Sequence, residues 1–181
     1  MRSLAAILLL SVCLLLSGCG SDAGETRFNA FSDALARRDT LSFEAALRCE
    51  YADRTLSFTL GYTLDEDGES VTVLQPERIA GIRARLSDGG TLEYDGLILD
   101  PGPLDPYGLS PMNALPKLVA ALREGHLDTS WTEEDAFVCH LILDDHLSAT
   151  VWFASGSMTP LRCELQSDEA VHIFCDITHW S

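Results

Sequence analysis

The sequence predicts an α+β fold: a strongly curved antiparallel sheet, or incomplete barrel, with helices packed across its concave side. Three observations lead there. Apolar residues alternate with polar ones over many short segments, the mark of half-buried strands. Tight-turn residues separate those segments, so successive strands run antiparallel. Two segments with helical spacing, one before the strands and one midway, supply a covering layer. A curved sheet wrapped around them would bury both apolar faces.

The first residues of the 181 stand apart. Met1-Arg2 give a positive start, Leu4 to Leu16 form an apolar run broken only by Ser11, and small Ser17-Gly18 precede Cys19. That order fits an export leader, and the run is too short for a spanning helix. It resembles a bacterial lipoprotein lipobox, which implies cleavage before Cys19 and a diacylglycerol on its thiol. The expected organisation is a leader over 1–18, a lipidated cysteine and short tether over 19–25, and one folded domain over 26–181.

A first helix is expected from Thr26 to Arg38, with Phe28, Phe31, Ala34 and Leu35 on its apolar face. The period then becomes two. Phe43, Ala45, Leu47 and Cys49 mark one strand, and Leu56, Phe58, Leu60 and Tyr62 mark the next. Asp65 to Glu69 form a turn before a strand over Ser70–Leu74, and Pro76 to Gly81 suit a short helical turn. Ile82–Leu86 and Thr91–Tyr94 flank Asp88-Gly89-Gly90, a hairpin signal, and Gly96 permits a tight turn before Leu97-Ile98-Leu99.

Asp100 to Pro106 is a proline- and glycine-rich loop. Ser110-Pro111 read as N-cap and first helical residue, followed by a stripe of Leu115, Leu118, Val119 and Leu122 and a stop at Gly125. Pro116 either breaks this helix or marks the start of a shorter one. Four strands follow: Phe137–Leu143, Ser148–Phe153, Leu161–Leu165 and Val171–Ile177.

A net charge of −16 opposes binding to nucleic-acid backbones or anionic headgroups through a basic face. Cys13 leaves with the leader, so Cys49, Cys139, Cys163 and Cys175 are the disulfide candidates. Four cysteines allow three complete pairings, and each also lies on the apolar side of its strand, as a buried free thiol would. No close Cys-x-x-Cys pair suggests zinc.

The order of elements resembles the LolA/LolB-like lipoprotein carrier and receptor superfamily. The blocks that carry the likeness are Phe58-Thr59-Leu60-Gly61-Tyr62, Val71 to Glu77, and Leu92 to Leu97, extended by Val151-Trp152-Phe153 and Leu161 to Gln166. The resemblance implies an apolar cavity between sheet and helices that takes a lipid or a lipoprotein acyl chain. Phe58, Leu60 and Tyr62 would supply one wall, Tyr94, Leu97 and Leu99 another, and Leu118 and Leu122 the lid. Solid core explains the same alternation. The superfamily's soluble carrier is not lipidated, so Cys19 favours a receptor-like branch attached to the outer face of the cytoplasmic membrane. The loop from Asp100 to Met112 either packs or protrudes.

Catalysis finds no motif. There is no Gly-x-Ser-x-Gly elbow and no phosphate-binding glycine loop. Asp65-x-Asp67-x-Glu69 lacks the remainder of a calcium loop, and Asp144-Asp145-His146 suits a solvated turn. The expectation is therefore a non-enzymatic envelope lipoprotein without a cofactor. Its partner is a lipid or acyl chain or, alternatively, an envelope protein recognised by the sheet. A small hydrolase would need a convergent polar site.

Overall fold

The computed structural model describes residues 21–86, 91–99, 108–168 and 171–181. The expected leader over 1–18, Cys19, the expected turn at Asp88-Gly89-Gly90, residues 100–107 with the expected loop, and the side chain of Leu99 lie outside the described residues.

Helix α1 (Ser21–Ala36) precedes six strands: β1 (Leu41–Glu50), β2 (Thr55–Asp65), β3 (Gly68–Gln75), β4 (Arg83–Arg85), β5 (Thr91–Tyr94) and β6 (Leu97–Leu99). Helix α2 (Pro111–Glu124) follows, then β7 (His126–Glu133), β8 (Ala136–Asp144), β9 (Leu147–Ala154), β10 (Pro160–Ser167) and β11 (His172–Thr178). A 3-10 turn at Glu77–Ile79 fills the expected helical turn after Pro76.

All eleven strands form one antiparallel sheet, ordered β6-β5-β4-β3-β2-β1-β11-β10-β9-β8-β7. Two meanders meet where β1 pairs with β11, and α2 carries the chain from one sheet edge to the other. The expected strongly curved sheet or incomplete barrel is overturned. Strands β6 and β7 end an open order, and no β6–β7 pairing closes it among the described residues. Alternation dictates which face of a strand is buried, and it does so equally for an open and a rolled sheet.

Several local choices have visible causes. Tyr94 and Leu97 close the β5–β6 hairpin through Asp95-Gly96, both with positive φ (50° and 77°), which a two-residue Asp-Gly turn needs. Helix α2 starts with Pro111 at its first turn, and Asn113 Oδ1 accepts the Ser110 N–H at 2.7 Å. The helix continues through Pro116, so that residue neither breaks it nor starts it. Its buried face, Leu115, Leu118, Val119 and Leu122, supplies the energy that offsets the lost proline hydrogen bond.

Helix α1 begins five residues before its expected start, inside the stretch 19–25 expected to be a tether. Tertiary packing explains the extension: Gly24 sits directly against the Ser130 side chain, where an added Cβ would lie 2.1 Å from Oγ. Strand β7 was not expected at all. It is a sheet edge with mostly exposed residues, and His126 to Glu133 carry no apolar alternation.

The helices cover one face of the sheet. Phe28 and Leu35 from α1 join the α2 stripe over Leu47, Leu60, Val71, Leu141, Val151, Leu165 and Ile173. Rings interlock within this layer: Phe31 meets Phe153 edge-on at 5.0 Å, and Phe43 stacks on Tyr62 at 4.9 Å.

Candidate functional site

On the covered face Leu60, Leu118 and Leu122 have 0% accessible surface and Tyr62 has 1%, so their side chains are enclosed by their neighbours. Tyr62 donates its hydroxyl to Glu69 Oε1 at 2.6 Å. Burial, then that hydrogen bond and the carboxylate charge, push the phenol pKa far up. These four predicted wall and lid residues belong to one buried cluster.

Phe58 lies opposite Leu47, is half-buried, packs against the same cluster and also lines the groove described below. The remaining predicted wall residues are elsewhere. Tyr94 and Leu97 are exposed, Leu97 at 65%, on the hairpin at the far sheet edge. The register pairs Leu99 with Leu92 on that same hairpin.

The four cysteines are free thiols buried on the covered face. Register places Cys163 opposite Cys175 on adjacent strands. Burial pushes the thiols of Cys49 and Cys139 up to about 12. A thiol contact with Cys163, then burial, raises Cys175. Such thiols are poor nucleophiles.

The helix-free face carries the open concavity. A groove of about 820 Å³ runs over β1, β2, β10 and β11, with Gln75-Pro76 at the end of β3 as one wall. Its side chains are those that alternate against the core: Ala46 and Arg48 from β1, Ser57 and Thr59 from β2, Arg162 and Glu164 from β10, Phe174 and Asp176 from β11. Cross-strand neighbours order it. Arg48 sits opposite Phe174, and its guanidinium lies 4.0 Å from the ring centroid. Arg48 also pairs with Glu50. Arg162 sits opposite Trp152, 4.1 Å from that ring, with Glu133 Oε1 3.9 Å from its Nη2. The Trp152 Nε1–H donates to Glu133 Oε2 at 3.2 Å.

Two stacked guanidiniums flank small, polar side chains on this face. Each is held by a ring beneath it, so it keeps its orientation at reduced entropic cost. Glu164 and Asp176 also line the groove, so with Glu50 and Glu133 beside it the four carboxylates outnumber the two guanidiniums. Among the described residues no group of three or more His, Cys, Asp or Glu is placed to hold a metal. The groove was missed in the sequence because its residues are the polar half of each alternation. The signal present was an arginine or aromatic at outward positions of β1, β10 and β11.

The acidic turns are structural. Asp65 Oδ1 accepts the Asp67 N–H, and Asp144 Oδ1 accepts the His146 N–H. His146 Nδ1 lies 3.0 Å from Asp168 Oδ2, joining the β8–β9 turn to the end of β10. That contact raises the imidazole pKa above its ordinary value.

No protein-family model matches the chain, and no curated protein matches it. Among solved structures it is similar to a DUF1329 family protein from Desulfovibrio piger, at 10% identity and TM-score 0.48, covering 88% of this chain and 92% of that one. It is also similar to the LolA superfamily protein NE2245 from Nitrosomonas europaea, at 10% identity and TM-score 0.46, covering 87% and 92%. The lipoprotein LppX from Mycobacterium tuberculosis is similar at 13% identity and TM-score 0.45, covering 89% and 96%.

Proposed function

We propose that this chain is a lipid-anchored protein of the bacterial cell envelope that binds a protein partner without catalysing a reaction. The binding surface is the helix-free face of its sheet. The observation that carries the reading is the groove with Arg48 and Arg162 held over Phe174 and Trp152, set against the enclosed Leu60, Tyr62, Leu118 and Leu122 on the covered face. The lipobox-like Cys19 supports attachment of the body at a membrane surface, and the order of elements is consistent with the LolA/LolB-like expectation of a non-catalytic envelope module. A photo-cross-linking residue at Thr59 in the groove, compared with one at Glu66 in the β2–β3 turn, tests it in living cells. A discrete protein adduct from Thr59 alone, lost in Arg48→Ala/Arg162→Ala, is the expected result. Equal adducts from both positions, or none from either, contradict it.

A second reading places a lipid acyl chain between α2 and the sheet, against Leu60, Tyr62, Leu118 and Leu122. Pro116 favours it, because its missing N–H removes a helical hydrogen bond inside α2. Such a ligand enters only if α2 lifts, which exposes the buried stripe.

A further inference from the structure

The distance from Cys19 to the folded body fixes what faces the membrane. Helix α1 begins at Ser21, two residues after Cys19. Two residues of chain span at most about 7 Å. With acyl chains on Cys19, the first turn of α1 therefore lies at the depth of the headgroups, and whatever packs beside that turn lies there too.

The neighbours of that turn are known. Gly24 is against Ser130 of β7 and Phe137 of β8. The Arg27 guanidinium lies 4.5 Å from the Phe137 ring and donates to the Ser155 carbonyl in the β9–β10 turn. Trp131 follows Ser130 directly. It is 41% exposed and points to the helix-free face, opposite Val138. Val138 is itself opposite Trp152, and both are buried although they lie outside the main core.

We infer that the end of the sheet where α1 begins is a bilayer-contact surface, with Trp131 seated in the headgroup layer. The inference rests on the lipid-anchor reading of Cys19. An indole combines apolar area with one N–H donor, which suits the boundary between acyl chains and water. The neighbouring tip, Glu133-Glu134-Asp135, is acidic and repels anionic lipid. The matching surface is therefore a zwitterionic headgroup layer.

The test uses the full chain isolated from membranes and reconstituted into phosphatidylcholine vesicles whose acyl chains carry bromine near the headgroup. Tryptophan emission is read for the parent chain, Trp131→Phe and Trp180→Phe, and the mass of the N-terminal peptide reports acylation. The expected result is an acylated Cys19, quenching in the parent and in Trp180→Phe, and loss of most of it in Trp131→Phe. Quenching should weaken as phosphatidylglycerol replaces phosphatidylcholine. Acylated Cys19 with unquenched emission overturns the contact alone. Undiminished quenching in Trp131→Phe overturns the role of that residue. An unmodified Cys19 with unquenched emission overturns the anchor and the contact together. Trp131 is exposed, and circular dichroism of Trp131→Phe confirms that the fold is kept.

Discussion

Strand β1 lives in two environments at once. Leu41, Phe43, Ala45, Leu47 and Cys49 are buried under the helices, whereas Ser42, Glu44, Ala46, Arg48 and Glu50 are exposed or half-exposed on the other face. The same division runs through β10 and β11. One face is buried core, and the other carries the groove proposed to bind a partner. A substitution should therefore reveal its face by whether it changes unfolding or binding.

The largest effect is expected in the covered layer. Leu118→Ala should cost about 2–5 kcal/mol in chemical denaturation, from lost burial plus the cavity left behind. Thr59→Ala on the open face should stay within about 0.5 kcal/mol. Comparable losses at the two positions would break the comparison.

Gly125→Ala comes next. A Cβ there would lie 2.4 Å from the Ala121 carbonyl oxygen at the end of α2, and backbone cannot move aside as a side-chain tip can. Destabilisation of about 1–3 kcal/mol is expected by thermal melting. An unchanged melting temperature would mean that the helix end relaxes freely.

Arg48→Ala and Arg162→Ala should each cost only about 0.5–1 kcal/mol of stability, the worth of an exposed guanidinium–ring stack. Their effect on cross-linking at Thr59 should be far larger. A stability loss without a binding loss would return the groove to a purely structural role.

The thiols sharpen the division by pH. Burial raises Cys49 and Cys139 to about 12, so the unfolded chain loses these protons first as pH rises. Their contribution to stability is complete below the ordinary thiol value and falls as pH climbs towards about 12. At neutral pH, iodoacetamide should label Cys49, Cys139, Cys163 and Cys175 only after denaturation, read by mass spectrometry. Labelling of the native fold would show that the covered face opens.

The smallest effect is at the surface. His146 is raised by its hydrogen bond and charge contact with Asp168, and further by Asp144 and Asp145. Its stabilising contact is fully present below the ordinary histidine value and fades as pH rises through the raised one. Nuclear magnetic resonance titration should show a lower histidine pKa in Asp168→Asn than in the parent chain.

Legibility followed the apolar pattern. Strands β1, β2, β8, β10 and β11 were readable because each buries alternate residues such as Leu47, Leu60, Leu141, Leu165 and Ile173. Helix α2 was readable from Ser110-Pro111 and its leucine stripe. Strand β7 was not, because an edge strand can be exposed on both faces and then has no period. The early start of α1 depends on Gly24 meeting Ser130, a contact between residues far apart in the chain. Curvature was illegible for a different reason: alternation specifies a buried face and leaves the angle between strands free. Leu60, Tyr62, Leu118 and Leu122 share one buried cluster, and solid core and a lined cavity share one sequence pattern. The groove depends on register, which sets Arg48 against Phe174 and Arg162 against Trp152.

Native mass spectrometry of residues 20–181 tests most directly whether the covered face takes a ligand. The protein would be purified without lipid and titrated with a phospholipid and with a lipopeptide, while hydrogen exchange is followed across α2. The account predicts no saturable adduct and unchanged exchange in α2. A stoichiometric adduct that alters α2 exchange and disappears in Leu122→Ala, with that variant still folded by circular dichroism, would contradict it and move the ligand beneath the helix.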